Sequence, residues 1–400
     1  MTQETHERAP TGSRARVAAK VSVWSHDLVI KSATVTGFVA IFIVMQFWLS
    51  RGFFVAAPRM LNIHQNVPVL LLATAAVVGL LAGAFDLSIS GTATLTAFLA
   101  VGLTAQQGLP FPLVLVIVLG VGVAAGLVNG LIVSTLNVNV IIATLGTGSI
   151  MVGISAVYSG GAVVTSASGT PLPGWFLDFG RFTTKLPLPL QLVLVAAALC
   201  WAFVALGRVR PPAALAPAWP VWRAVLVLVL GAVVYFVFDL QGWIKAISAL
   251  VGLYLVVVFL IWVLMERTVH GRSMKATGAN PLAARLAGVR TGKETYRAFI
   301  GTGVLASLAG IALAANQGAA SPDVAGGFLL PAFAAAFLST VIFSRGLFTV
   351  TGTAIGGIFI IWVAQGLIEA GLKFTWTGIV NGAVLIVAVS LSTLLQRRNR

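Results

Sequence analysis

Apolar runs of about twenty residues recur along this chain, and each is long enough to cross the hydrocarbon core of a bilayer. Only 9% of the 400 residues are charged, whereas soluble domains carry about 25%. A chain with so few charged groups cannot cover a water-facing surface, so its solvent must be lipid. We predict an all-α polytopic integral membrane protein with about 12 transmembrane helices. The predicted spans are 33–50, 66–84, 89–106, 111–134, 139–158, 187–206, 222–239, 246–265, 296–315, 328–343, 347–368 and 375–395.

The basic residues indicate how the spans are oriented. An even number of crossings puts both termini on one side, and placing that side in the cytoplasm leaves 19 basic residues inside and six outside. Cytoplasmic loops of membrane proteins carry such an excess of Lys and Arg. We therefore predict cytoplasmic N and C termini. The net charge of +15 lies between the spans and forms no single face, which argues against nucleic acid as a partner.

Polar segments divide the chain into parts. Val21–Lys31 is either a short helix on the inner membrane surface or an unstructured tail. The pairs of apolar runs that flank Ser88 and Ser344 are each either two spans or one broken helix. The predicted parts are a cytoplasmic tail at 1–31, a transmembrane domain at 32–395 and a basic cytoplasmic tail at 396–400. Within the transmembrane domain we predict a proline-rich cytoplasmic linker at 207–221 and a basic cytoplasmic loop at 266–296.

Glycine is abundant, with 42 residues in 400 against a usual share of about 7%. Small residues allow helix backbones to approach closely inside a bilayer. Two spaced glycine pairs, GVAAG at Gly122–Gly126 and GTAIG at Gly352–Gly356, suggest a repeat across the two halves of the chain.

The basic loop contains GVRTGKET, which looks like half of a phosphate-binding loop. A phosphate loop needs G-x-x-x-x-G-K-[ST] between a strand and a helix. Here only three residues separate Gly288 from Gly292, and Lys293 is followed by Glu294 instead of a hydroxyl that could bind magnesium. We therefore predict that this chain binds no nucleotide cofactor itself.

The same loop has the pattern of a very short helix. Asn280 is a favoured N-cap, Pro281 suits the first helical position, and Gly288 supplies a left-handed stop about two turns later. So short a helix is unstable alone in water. Leu282 and Leu286, four residues apart, share one face that must be covered. Either the protein's own loops cover it, or a groove on a cytoplasmic partner does.

The loop sequence GRSMKATGANPLAARLAGV resembles the cytoplasmic loop of bacterial ABC-importer permeases for monosaccharides, such as those for ribose and xylose. Similar segments are FVAAPRMLN, AGAFDLSIS and GLVNGLIVSTLNVNVIIATLGTGSI. The extra apolar pair between Arg208 and Lys245 is most similar to the xylose-type members. The chain departs from the family at FLSTVIFSRGLFT and at Asn381, where lysine is common.

This resemblance implies a permease subunit in the bacterial inner membrane that imports a xylose-like monosaccharide and is no enzyme. Its implied partners are a cytoplasmic ATPase subunit that holds the ATP, a periplasmic sugar-binding protein and a second copy of the permease. The alternative is an ion-coupled secondary transporter of a small polar solute. The residues implied to dock on the ATPase are Asn280, Pro281, Leu282, Ala283, Arg285, Leu286 and Gly288.

Polar side chains at membrane depth are candidates for a solute pathway. An aspartate at a helix centre costs about 2.5–3.5 kcal/mol on insertion, so Asp86 needs a partner or a watery cavity. Asp86 either caps the helix that follows it or lines the pathway, and hydroxyl and amide groups nearby either bind solute or join helices. The four histidines lie in predicted tails or loops, which disfavours an intramembrane enzyme. The predicted pathway residues are Asp86, Ser88, Ser90, Asn129, Thr144 and Asn381.

Overall fold

The computed structural model describes residues 42–47, 53–166, 170–206, 220–221, 224–229, 240–342 and 346–398. Within these ranges the protein is a helical bundle. Two strands of two residues each, β1 (Val164–Thr165) and β2 (Ala319–Ala320), pair antiparallel. The helices are α1 (Ala56–Gln65), α2 (Val67–Leu81), α3 (Ile89–Ala105), α4 (Phe111–Gly130), α5 (Val140–Ser159), α6 (Gly174–Gly180), α7 (Leu188–Leu206), α8 (Leu240–Lys245), α9 (Ala249–Arg267), α10 (Val269–Ala279), α11 (Pro281–Leu286), α12 (Thr291–Gln317), α13 (Leu329–Ile342), α14 (Val350–Glu369) and α15 (Thr377–Arg398).

Ten of the twelve predicted spans correspond to helices whose ends lie within about five residues of the prediction. The other two, 33–50 and 222–239, lie mostly outside the described residues. Among the described residues, five helices are long and apolar enough to cross a membrane, or six if α1 and α2 form one bent span. The total of about 12 crossings and the side on which the termini lie therefore remain predictions.

The structure describes the local conformation of two of the four predicted parts outside the spans. The loop at 266–296 is largely helical, since α10, α11 and the start of α12 lie within it. The predicted tail at 396–400 begins inside α15, which continues to Arg398. The tail at 1–31 and nearly all of the linker at 207–221 lie outside the described residues.

A bend of 59° separates α1 from α2. Pro68 stands in the first turn of α2, and its nitrogen carries no proton. It therefore cannot donate to the carbonyl of His64, four residues earlier, as a continuous helix would require. That carbonyl accepts from a backbone N–H at the end of α1 and from the side chain of Asn316, the latter at 3.4 Å.

Helix α12 is the centre of the bundle and packs against α2, α3 and α4. Of its most apolar 18 residues, 72% are buried, compared with 28% in α5 and in α9. Its contact with α4 brings backbone against backbone, because a Cβ atom on Gly303 would overlap the carbonyl oxygen of Gly122. Gly126, one turn further along α4, lies against the carbonyl of Phe299 in the same way. Gly122 and Gly126 thus both lie where α4 and α12 approach closely.

The second glycine pair also lies at a helix crossing. On α14, Gly352 faces Ser339 and Gly356 faces Ala335, both on α13. These two helices and α15 pack together beside α2.

Helix α12 also defines the two ends of the bundle. It begins next to α11, at what we call the α11 end, and its 27 residues rise about 40 Å to the opposite end. A bilayer with its headgroup regions is about as thick. The opposite end contains β1, β2, α6 and the start of α9.

The glycine contact between α4 and α12 predicts a large effect from a single methyl group. We expect Gly303→Ala to destabilise the protein by about 1–3 kcal/mol or to prevent folding, because the methyl meets backbone that cannot turn aside. Thermal unfolding of the purified protein in detergent measures this. Gly120→Ala, also on α4, is the matched control, since nothing lies within 4 Å of its added Cβ. Equal melting temperatures for the two variants would contradict this packing.

Candidate functional site

The segment that leads to α11 is fixed to the bundle at three points. The hydroxyl of Thr268 caps α10 by accepting from the N–H of Gly271 at 3.1 Å. Lys275 Nζ donates to Glu266 Oε1 at 2.5 Å, which ties α10 to the end of α9. Gly278 lies so close to the end of α2 that a Cβ atom there would overlap the carbonyl oxygen of Leu81. Movement of this segment must therefore move α2 as well.

Helix α11 has the caps that its sequence predicts. The side chain of Asn280 accepts from the N–H of Ala283 at 3.0 Å, and Pro281 occupies the first helical position. Gly288 adopts a φ of +83°, in the left-handed region that glycine tolerates best. The helix spans six residues, which is about 9 Å.

The two faces of α11 differ sharply in exposure. On the inner face Ala284 is buried, and Arg285 Nε donates to Thr291 Oγ1 at 2.8 Å. On the outer face Leu282 is 68% exposed and Leu286 is 83% exposed. The interpretation that the protein's own loops cover these leucines is therefore wrong for the described part of the chain. Helix α11 thus exposes two leucines on one face, while its other face and the segment before it are attached to the bundle.

A second group of polar residues lies deep in the bundle around Asp86. This side chain is only 2% exposed, and all of its oxygen atoms have hydrogen-bond donors. Oδ1 accepts from the N–H of Ser88 at 3.0 Å and from its hydroxyl at 2.6 Å. Oδ2 accepts from Thr302 Oγ1 on α12 at 2.5 Å. Asp86 therefore binds Ser88, the residue just before α3, and attaches it to the central helix.

The hydrogen bonds continue from Ser88 to two more helices. Asn129 Nδ2 on α4 donates to Ser88 Oγ at 2.7 Å, and Thr147 Oγ1 on α5 donates to Asn129 Oδ1, also at 2.7 Å. We call Asp86, Ser88, Asn129, Thr147 and Thr302 the core network. It joins α3, α4, α5 and α12, and each member is at most 7% exposed.

The other predicted pathway residues lie at different distances from the core network. Thr144 is adjacent, since its hydroxyl lies 3.2 Å from the carbonyl oxygen of Phe85 and 2.8 Å from that of Val140. Ser90 lies half-buried in the first turn of α3. Asn381 is separate, on α15, which packs against α13 and α14. The structure thus brings four of the six predicted residues together and leaves Asn381 apart.

The sequence analysis missed a buried histidine. His64 was predicted to lie in a loop, but it is in the last turn of α1 and only 3% exposed. Its Nε2 donates to the carbonyl oxygen of Gly180 at 2.9 Å, and its Nδ1 lies 2.8 Å from Ser248 Oγ. His64 therefore joins α1 to the end of α6 and to the start of α9.

An ion pair at the same end was also missed. Arg59 on α1 is buried, pairs with Glu369 on α14, and stacks over the ring of Phe53 at 4.4 Å. Beside it Asn62 Nδ2 donates to Gln365 Oε1 at 3.2 Å. Arg59 and Asn62 are three residues apart on α1, and Gln365 and Glu369 are four residues apart on α14. Each of these pairs therefore lies on one face of its helix, and these spacings are visible in the sequence.

Comparison with known proteins identifies the class to which this bundle belongs. Residues 63–389 match the family described as "Branched-chain amino acid transport system / permease component". The match covers most of the chain, so the protein belongs to this family of transport permeases. None of the solved structures matches the chain significantly.

Individual relatives are import permeases. The galactose/methyl galactoside import permease protein MglC of Escherichia coli strain K12 is 28% identical over 292 residues, which cover 73% of this chain and 70% of that protein. The autoinducer 2 import system permease protein LsrD of Photorhabdus laumondii is 26% identical over 350 residues, which cover 84% of this chain and 85% of that protein. The protein is accordingly a multi-pass permease of the bacterial inner membrane of the ABC type, a transport component and not an enzyme.

The core network predicts that one hydroxyl on α12 stabilises the whole bundle. We expect Thr302→Val to lower the free energy of unfolding by roughly 1.5–3 kcal/mol, because it removes a hydrogen bond to a buried carboxylate. Chemical denaturation in detergent micelles measures this loss. Thr96→Val is the control, since that buried hydroxyl bonds only to carbonyls of its own helix. A Thr302→Val protein as stable as Thr96→Val would refute a structural role for the network.

Proposed function

We propose that this chain is the membrane-spanning subunit of an ATP-binding-cassette importer for a monosaccharide. In this proposal both termini and the α11 end are cytoplasmic, and the chain crosses the membrane about 12 times. A separate ATPase subunit binds α11, a periplasmic sugar-binding protein delivers solute to the opposite end, and two copies of the permease form the channel. ATP is held by the ATPase alone.

The observation that carries the proposal is the exposure of Leu282 and Leu286 on α11. Burial of a leucine side chain contributes about 1.5–3 kcal/mol, and both are uncovered in the described structure. Three contacts hold the segment before α11 in place, and the hydrogen bond from Arg285 to Thr291 holds the helix itself, so the leucines are presented outward. This geometry fits insertion of a helix into a groove on a soluble partner.

The contacts around α11 also supply a route for mechanical coupling. The packing of Gly278 on the end of α2 and the hydrogen bond from Arg285 to Thr291 link α11 to two helices of the core. One of these, α12, continues through the core network to the opposite end. Closure of an ATPase dimer would shift α11 and rock these helices between inward-open and outward-open states.

The solute is assigned by chemistry and by similarity. The relatives named for galactose and for autoinducer 2 support import of a small polar solute, and the resemblance of the α11 loop supports a sugar. A xylose-like sugar is supported by the resemblance alone, so the proposal is kept to monosaccharides in general. We propose that the solute passes Asp86, Ser88, Asn129 and Thr144 when the core network opens, since hydroxyl and amide groups can exchange hydrogen bonds with a sugar. Ser90 and Asn381 would lie further along the pathway.

An ion-coupled secondary transporter is the alternative, and the carboxylates argue against it. Asp86 is occupied by donors from Ser88 and Thr302, and Glu369 is paired with Arg59. In the described part of the chain, neither carboxylate contacts another acid that could relay a proton.

The docking role of α11 is tested by charging its exposed face. We expect the double variant Leu282→Asp and Leu286→Asp to insert normally but to lower uptake of labelled galactose about tenfold or more, because the apolar contact with the ATPase is lost. Uptake is measured in liposomes that contain the permease, its ATPase and its binding protein.

Leu136→Asp provides the matched control for this experiment. Leu136 is 63% exposed at the α11 end but lies outside the α10–α11 segment, so uptake should stay near wild type. Normal uptake by the double variant would refute docking at α11. Uptake by the permease alone, driven by a proton gradient, would instead favour the secondary transporter.

A further inference from the structure

A cavity of about 540 Å³ opens at the opposite end of the bundle from α11. This volume is within the range of roughly 300–1,000 Å³ that is usual for small-molecule sites. We call it the outer cavity. It lies between the end of α1, the segment after α6 and the end of α12, and it includes none of the predicted pathway residues. Its lining is Leu61, His64, Gln65, Gly180, Arg181, Phe182, Thr183, Leu313, Asn316, Gln317 and Phe328.

The walls of the outer cavity are held together around His64. The ring of His64 binds the carbonyl oxygen of Gly180, and Asn316 Nδ2 donates to the carbonyl oxygen of His64. Gly180 lies so close to α12 that a Cβ atom there would overlap the carbonyl oxygen of Ala315. The three walls are therefore fixed relative to one another, and His64 is a positioning residue whose ring nitrogens are already engaged.

Several polar groups in the lining remain available to a ligand. The side chains of Gln65, Gln317 and Thr183 are exposed and form no hydrogen bond with another described residue. Each can both donate and accept hydrogen bonds, as the hydroxyl groups of a polyol can. The carboxamide oxygen of Asn316 adds a further acceptor.

The charges and rings of the lining narrow the class of ligand. Among the described residues that line the cavity there is no carboxylate, and the guanidinium of Arg181 is paired with Asp178 at 2.7 Å. An amino acid would need a charged partner at each end, and the cavity has no acid for its ammonium group. Phe182 and Phe328 add aromatic rings to the lining, against which the C–H groups of a sugar ring can pack, although Lys185 Nζ covers one face of Phe182 at 3.2 Å from the ring centroid.

From these features we infer that the outer cavity is a binding site on the permease itself for a neutral polyhydroxylated solute such as a monosaccharide. This inference rests on the proposed function, because it requires the opposite end to face the solute. The site lies about 20 Å along α12 from the core network, measured from Thr302 to Asn316. Solute would therefore bind here before the core network opens.

Protection of an introduced cysteine tests the site without the ATPase. In a Cys200→Ser background, Gln317→Cys puts a thiol in the cavity wall, and the rate of its labelling by a membrane-impermeant maleimide is measured in liposomes. We expect D-galactose, D-xylose or D-ribose to slow labelling about tenfold at roughly ten times its dissociation constant. L-leucine should give no protection.

Three further variants identify the cause of protection. Gln106→Cys places a thiol at the end of α3, also exposed and at the same end of the bundle but outside the cavity, and sugar should not change its labelling rate. Gln65→Leu, combined with Gln317→Cys, should abolish protection because it removes an amide that binds hydroxyl groups. Gln106→Leu in the same combination should leave protection intact.

The outcomes separate this inference from the proposed function. Absence of protection by all three sugars, protection by L-leucine alone, or full protection in the Gln65→Leu variant would each overturn the outer cavity as a sugar site. Any of these results could coexist with ATPase-dependent uptake, in which case the importer proposal would stand and only the site would be lost.

Discussion

The close approach of α4 to α12 is the contact on which the rest of the structure depends. Gly122 and Gly303 allow the two backbones to touch, and this fixes the central helix without large side chains between them. Helix α12 can then act as a rigid rod that begins beside α11, passes the core network at Thr302 and ends at Asn316 in the outer cavity. A single buried helix thus links α11, the core network and the outer cavity.

The core network explains how a carboxylate is tolerated at this depth, and in the proposed pathway it would keep the passage shut. Asp86 is fully hydrogen-bonded, so the cost of its burial is offset by its donors. The same bonds fill the space that a solute would need. Opening must break them, and a sugar could replace the lost donors and acceptors with its own hydroxyl groups. The polar groups that bind one another in the closed bundle would in this way bind the solute along the proposed pathway.

The sequence predicted what depends on neighbours in the chain. The caps of α11, its Leu282–Leu286 face and the depth of Asp86 could all be read from local spacing, and resemblance pointed to the class of permease. The sequence did not predict that His64 is buried, because its partner Ser248 is 184 residues away. The pairing of Arg59 with Glu369 likewise joins residues 310 positions apart. Nor could spacing predict the bend at Pro68, since a proline within an apolar run is compatible with a continued or a broken helix.

We propose that an ATPase subunit binds α11, and cross-linking at the most exposed residue of this helix tests that binding directly. A short thiol-reactive cross-linker would be attached to Leu286→Cys in a Cys200→Ser background. The reaction is carried out in membranes in which the permease is co-expressed with the other importer subunits. The account predicts an adduct with a subunit that mass spectrometry identifies by a nucleotide-binding motif, lost when that subunit is omitted. Adducts confined to this chain itself, with the ATPase present and active, would contradict the account.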